Sequence, residues 1–147
     1  MAVIMERRTL QNRWESEQWS AVAVIPDSGN AEPSLTTEDS SAKRWLHPGY
    51  EVVLRQDEAE GYFLNVSTPE PRLFVMWQLE DDQGIPQAVS ASYNEASTWM
   101  DAGDSVDPVP MPPELVLWLG DYVRNNYRPE PKKRIRPRSF MHPKDRT

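Results

Sequence analysis

The sequence predicts an α+β domain that is mostly β: an antiparallel β-meander, arranged as a partly open barrel or sandwich, packed by a C-terminal amphipathic helix, plus one short helix. Short apolar runs alternate with polar turns between residues 43 and 91, which is the pattern of hairpin-connected strands. These turns are too short for the crossovers that parallel strands require. Apolar residues at helical spacing follow from residue 115, as expected for a helix with one buried face.

Length, composition and charge set the broad class. The 147 residues favour one domain, and the absence of cysteine excludes disulfides, thiolate metal sites and cysteine nucleophiles. We see no export signal and no membrane span, so we expect a cytoplasmic protein. Residues 1–127 contain eight Lys/Arg and 21 acids, whereas residues 128–147 contain eight Lys/Arg and two acids. This division predicts a single acidic domain over 1–127 and a basic, disordered tail over 128–147.

The first part of the chain predicts two strands and a loop. Residues 2–8 form the first strand, and residues 19–25 form a second strand that Pro26 ends. Both faces of this second strand are largely apolar, which predicts a central position in the sheet. Residues 27–42 are mostly Ser, Thr, Asp, Glu, Pro and Gly. Such a segment buries too little apolar area to offset its ordering entropy, so we expect a mobile loop at 27–42.

Five further strands are predicted after the loop. Alternation of apolar and polar side chains is clearest where Tyr62, Leu64 and Val66 would face together. Short turns of polar residues, proline and glycine, such as Asp81-Asp82-Gln83-Gly84, separate the runs and suit hairpins. The predicted strands cover residues 44–47, 50–55, 61–67, 72–79 and 87–91.

Two helices are also predicted. Ser92 and Glu95 have the spacing of a capping box, and Gly103 suits the left-handed position that ends a short helix. Its apolar face comprises Tyr93, Ala96, Trp99 and Met100. The second helix covers residues 112–127 and opens with two prolines and an acid. Its apolar stripe comprises Leu115, Trp118, Leu119, Tyr122 and Val123.

The chain carries no recognisable catalytic, metal or cofactor motif. A metal site needs three or four converging ligands, and the two histidines, His47 and His142, are far apart in sequence. The glycines are isolated, so no phosphate-binding loop is present. We therefore predict no catalytic residue, no metal and no cofactor, and favour a protein without enzymatic activity. An enzyme that uses carboxylates alone, such as those at residues 80–82, stays open as the lesser alternative.

Two features are candidates for binding a partner. Arg13 and Trp14 lie in a polar turn and belong to the residue types that dominate interface energetics; the favoured alternative is that Trp14 covers the sheet edge as part of the core. In the tail, the candidates are Lys132, Lys133, Arg134, Arg136 and Arg138. The tail could contact a protein partner, a second copy, acidic lipid, nucleic acid or its own acidic domain, or it could bind nothing and serve as a solubilising end. Because the domain itself repels polyanions, nucleic acid is disfavoured and a protein partner is favoured.

Several short segments resemble a known family: Glu6-Arg7-Arg8, Arg13-Trp14, Trp19, and residues 22–26, 89–96 and 109–112. Over about residues 2–131 the chain resembles the proteobacterial family of unknown function whose genes often accompany formate dehydrogenase clusters. The resemblance implies no established activity. The gene context implies an accessory role in making or assembling a molybdenum- or tungsten-dependent formate dehydrogenase. Some relatives carry a label for molybdopterin guanine dinucleotide synthesis, which the missing glycine-rich loop argues against.

These observations predict a non-catalytic accessory or adaptor protein. Its partner polypeptide would be an oxidoreductase subunit or a maturation factor, in formate dehydrogenase assembly. The alternative is a domain that binds a small molecule, such as a pterin or nucleotide cofactor, in a tryptophan-lined mouth of the β-structure. Homo-oligomerisation stays open as well.

Overall fold

A computed structural model describes residues 1–9, 17–26 and 32–129. Within these residues, seven strands form two antiparallel sheets, accompanied by three α-helices and one 3-10 turn, with no closed barrel. The predicted α+β class, mostly β and antiparallel, is confirmed. The elements in chain order are β1 Ala2–Thr9, β2 Glu17–Ile25, β3 Ser34–Glu38, β4 Ala42–His47, the 3-10 turn Gln56–Glu58, α1 Ala59–Val66, β5 Arg72–Glu80, β6 Gln83–Ser90, α2 Tyr93–Asp101, β7 Ser105–Pro110 and α3 Pro113–Asn126.

The first sheet has the strand order β2-β1-β4-β3. Strand β1 is central and contributes Val3 and Met5, which are fully buried. Strand β2 lies at the edge of this sheet, so the prediction of a central position is wrong. A register shift opposite Ile4 and Met5 changes the face that β2 presents to the core, so Ala21 and Val24, three positions apart, are both buried. Apolar residues therefore occur on both alternating faces of this edge strand.

The second sheet has the order β6-β5-β7. Strands β5 and β6 form the predicted hairpin, whose turn places Asp81 and Asp82 at positive φ. Strand β7 was not predicted, and it contains Pro108 and Pro110, residues that disfavour a strand. Within the described residues it pairs with β5 alone and lies at the sheet edge, where prolines are tolerated.

A carboxylate bridges the two sheets. Asp107 of β7 accepts hydrogen bonds through Oδ2 from the backbone amide of Ala21 on β2, at 2.9 Å, and from the indole Nε1 of Trp77 on β5, at 2.7 Å. A charged acceptor makes each of these bonds stronger than a neutral one would. The core lies between the sheets and includes Leu73 and Val75, both fully buried.

Two predicted strands are wrong. Residues 50–55 form no regular element, and residues 61–67 overlap α1 instead. The buried positions of α1 include Tyr62 and Asn65, three residues apart as on one helix face, whereas Leu64 is exposed. A short apolar run fits the side-chain period of a helix as well as that of a strand, and tertiary packing decides which of the two forms. Gly61 permits this packing, because a Cβ there would lie 2.2 Å from Ser92 Oγ.

The segment predicted to be a loop contains a strand. Strand β3 is exposed at every residue, in keeping with its polar composition, but it pairs with β4 at the edge of the first sheet. Backbone hydrogen bonds therefore hold it in place, although it buries little apolar area. Residues 27–31 of the predicted loop lie outside the described residues.

Helix α2 begins at the predicted cap, but only one of the two hydrogen bonds of the capping box is present. Ser92 Oγ accepts from the backbone amide of Glu95 at 3.1 Å. The reciprocal bond is replaced: the Ser92 amide donates to Ser90 Oγ at 3.0 Å, and the Glu95 carboxylate pairs with Arg55. Gly103 has φ of +88°, as the predicted left-handed position requires.

Helix α3 is also confirmed and packs against α1. Leu119 and Val123 are buried, but Trp118 is 43% exposed and lies outside the packed stripe in which it was predicted. The rings of Tyr62 and Tyr122 meet edge to face between the helices, 5.8 Å apart. Among the described residues, no helix has the length and apolar character to cross a membrane.

Candidate functional site

A cleft of about 440 Å³ opens beside α2, which lies against β5 and β7. Most of its walls are apolar. The apolar residues that line it are Phe74, Val106 and Pro108 from the second sheet, and Tyr93, Ala96 and Met100 from α2.

The three residues of α2 share one face because they follow the spacing i, i+3, i+7. Ala96 is buried, whereas Tyr93 and Met100 are 49% and 51% exposed. The small Ala96 side chain leaves space between its two large neighbours. The rings of Tyr93 and Phe74 meet edge to face with centroids 5.6 Å apart, a favourable arrangement that holds one wall of the cleft in position.

The polar groups of the cleft are engaged within the protein. Asn65 Nδ2 donates to the carbonyls of Arg72, at 2.6 Å, and Ala91, at 2.9 Å, while its Oδ1 accepts from the Arg72 amide at 2.9 Å. Thr68 Oγ1 donates to the Asn65 carbonyl at 2.8 Å. At the rim, the Arg72 guanidinium pairs with Glu70 at 2.9 Å. The cleft therefore offers apolar contact, with one solvent-exposed ion pair at its edge.

This arrangement suits the binding of an apolar group. A volume of this order lies in the range of ligand pockets, about 300–1,000 Å³. The described residues contain no group of three or more His, Cys, Asp or Glu side chains that could hold a metal. His47 does not line the cleft: it is buried in β4, opposite Val3, and this burial lowers the pKa of its imidazole.

The residues predicted to bind a partner lie outside the described part of the chain. They are Arg13, Trp14, Lys132, Lys133, Arg134, Arg136 and Arg138. The predicted tryptophan-lined mouth does not correspond to this cleft, which is lined by Phe74 and Tyr93 and by no tryptophan. The sequence did place Tyr93, Ala96 and Met100 on one helix face. It could not place the opposite wall, because β7 was not predicted.

No curated protein and no solved structure matches the chain significantly. A family model described as "Protein of unknown function (DUF3305)" matches residues 1–136. Because this match covers most of the sequence, the chain belongs to that family of unknown function.

Proposed function

We propose that this protein is a non-catalytic accessory protein that binds a partner polypeptide, and that the cleft beside α2 receives an apolar side chain of that partner. The observation that carries the proposal is the pair of large side chains, Tyr93 and Met100, half exposed on either side of the buried Ala96. Exposed apolar surface grouped around a concave site is typical of binding sites. Covering about 100 Å² of it would contribute roughly 2.5 kcal/mol.

The polar groups of the cleft favour a polypeptide over a pterin or nucleotide. Such cofactors carry many hydrogen-bonding groups, and a nucleotide also carries phosphate charge. Asn65 and Thr68 are already bonded within the protein, and Arg72 is already paired with Glu70. A small-molecule ligand stays the second candidate, because the volume of the cleft suits one.

The class of partner comes from the family resemblance rather than from the cleft. The gene context of that family supports a subunit or maturation factor of a molybdenum- or tungsten-dependent formate dehydrogenase. The cysteine-free sequence is compatible with the reducing cytoplasm, where we place this assembly role.

The test is capture of partners from the native host, using the tagged full chain and quantitative mass spectrometry. Met100→Glu places a charge in the cleft, and Leu117→Glu is the matched control, because Leu117 is 73% exposed on α3 and does not line the cleft. We expect the unchanged chain and the control to recover an oxidoreductase subunit or maturation factor. Met100→Glu should lower that recovery about tenfold, as a loss of roughly 1.4 kcal/mol would.

Two results would count against the proposal, and each points to a different part of it. If the unchanged chain recovers no oxidoreductase subunit or maturation factor, the class of partner is wrong. If Met100→Glu recovers as much partner as the control, the cleft is not the binding site. Titrating pterins and nucleotides against tyrosine and tryptophan fluorescence tests the second candidate, which a panel without any response would remove.

A further inference from the structure

The strands of the first sheet are less acidic than the rest of the described chain. Strands β1 to β4 contain four cations and three acids, whereas residues 49–129 contain four cations and fourteen acids. The four cations of the sheet are Arg7, Arg8, Lys43 and Arg44. An anionic group approaching the described surface therefore meets its least repulsive region at this sheet.

Two of these arginines are held by one buried carboxylate. Glu6 of β1 is 4% exposed, and Arg44 lies directly opposite it on β4. Arg8, two positions along β1, lies on the same face of the sheet. Arg44 Nε donates to Glu6 Oε2 at 2.8 Å, and Arg8 Nε donates to Glu6 Oε1 at 3.1 Å. The two guanidinium groups therefore share one carboxylate, each bonded to a different oxygen.

Among the residues that the structure describes, none accepts a hydrogen bond from the outer donors of either guanidinium group. A guanidinium has five N–H donors, and Glu6 engages each arginine through Nε. No acceptor within the described residues is bonded to the Nη atoms of Arg8 or Arg44. Both side chains are about half exposed. Asp39, which lies near Arg8, uses its Oδ1 to accept from backbone amides of the turn that follows it.

We propose that Arg8 and Arg44, positioned by Glu6, form a binding site for an oxyanion, either a carboxylate or a phosphate group. The planar fork of a guanidinium matches both groups and can form two parallel hydrogen bonds to each. Because Glu6 already restrains both side chains, less conformational entropy is lost when the anion binds. The site lies on the first sheet, apart from the cleft beside α2, and does not depend on the function proposed for that cleft.

The test follows the arginine Nε–Hε resonances of the ¹⁵N-labelled full chain by NMR at low ionic strength. The probes are inorganic phosphate and an N-acetylated, C-amidated Glu-Glu-Glu peptide, which separate the two sources of the oxyanion. We expect a saturable shift of the Arg8 and Arg44 resonances with at least one probe. Arg44→Lys keeps the charge but loses the fork, so its affinity should fall about tenfold.

Arg124→Lys is the matched control, because Arg124 is an exposed residue of α3 that pairs with Asp121. This variant should bind the probe as the unchanged chain does. Absence of a saturable shift with both probes would overturn the proposal. Equal affinity of Arg44→Lys and the unchanged chain would overturn it too, because simple charge attraction would then suffice. Circular dichroism of each variant confirms that the fold is retained before the affinities are compared.

Discussion

Replacing Asn65 with alanine should strongly lower the free energy of unfolding. The side chain is 2% exposed and makes three hydrogen bonds to backbone groups, two to Arg72 at the start of β5 and one to Ala91 just after β6. It thereby ties α1 to two strands of the second sheet. Asn65→Ala removes all three bonds at once and leaves the backbone groups without their partners.

The magnitude follows from the burial of those groups. A buried polar group left unsatisfied costs about 1–3 kcal/mol. The bond to the Ala91 carbonyl is fully buried, whereas the two bonds to Arg72 are partly buried, so those two belong at the lower end. Alanine recovers roughly 0.5 kcal/mol through its higher helix propensity. We therefore expect a net loss of about 3–5 kcal/mol, a large part of the stability of an ordinary domain.

The assay is urea unfolding followed by circular dichroism, with linear extrapolation of the free energy. Asn125→Ala is the matched control: it removes an asparagine from α3 that is exposed and should change stability by less than about 0.5 kcal/mol. A loss below about 1 kcal/mol for Asn65→Ala would refute the reasoning. It would show that water replaces the amide and that the hydrogen bonds do not tie the helix to the sheet.

Three further perturbations probe how the elements are held together. Gly61→Ala should destabilise the fold by about 1–3 kcal/mol, because the new methyl group would overlap Ser92 at the N-terminal cap of α2. Gly120→Ala is the control and should stabilise α3 by up to about 1 kcal/mol. Thermal unfolding of the two variants measures both effects. Asp107→Ala removes the acceptor that bridges the two sheets, so it should lower the free energy of unfolding by about 2–4 kcal/mol and shift the tryptophan emission. Asp101→Ala, at an exposed position, should change neither quantity appreciably. Equal effects of the two substitutions would contradict the bridging role of Asp107. Burial lowers the pKa of His47, so between this lowered pKa and the ordinary value of 6.5 the unfolded chain binds more protons than the folded protein does. Stability should therefore fall as the pH drops through this range, and His47→Gln should remove this part of the pH dependence. Parallel stability profiles of the two proteins would contradict the prediction.

Features encoded within a few residues could be predicted from the sequence. The hairpin turn at Asp81 and Asp82, the cap of α2 at Ser92 and the whole of α3 were located correctly. Turn and cap signals act between residues at most four positions apart, so a single sequence contains all the information they need. The apolar stripe of α3 is similarly local, apart from the exposed Trp118.

Features that depend on distant partners could not be predicted in this way. Apolar and polar side chains alternate over residues 61–67 as in a strand. The segment nevertheless overlaps helix α1, in which Gly61 packs closely against Ser92. Strand β7 contains prolines that a strand normally excludes, and only its edge position accommodates them. One wall of the cleft is formed by β5 together with the unpredicted β7, so the cleft could not be inferred from the sequence.

The sequence by itself therefore determined the fold class, the uneven division of charge between residues 1–127 and 128–147, and the local signals that begin two helices. The tertiary structure alone decided which side chains meet. The pairing of β1 with β4 puts Arg44 opposite Glu6, and the packing of α2 on the second sheet leaves Tyr93 and Met100 around an open cleft. The physical reason is that register and packing are set by contacts between residues far apart in the chain, which local propensity does not encode.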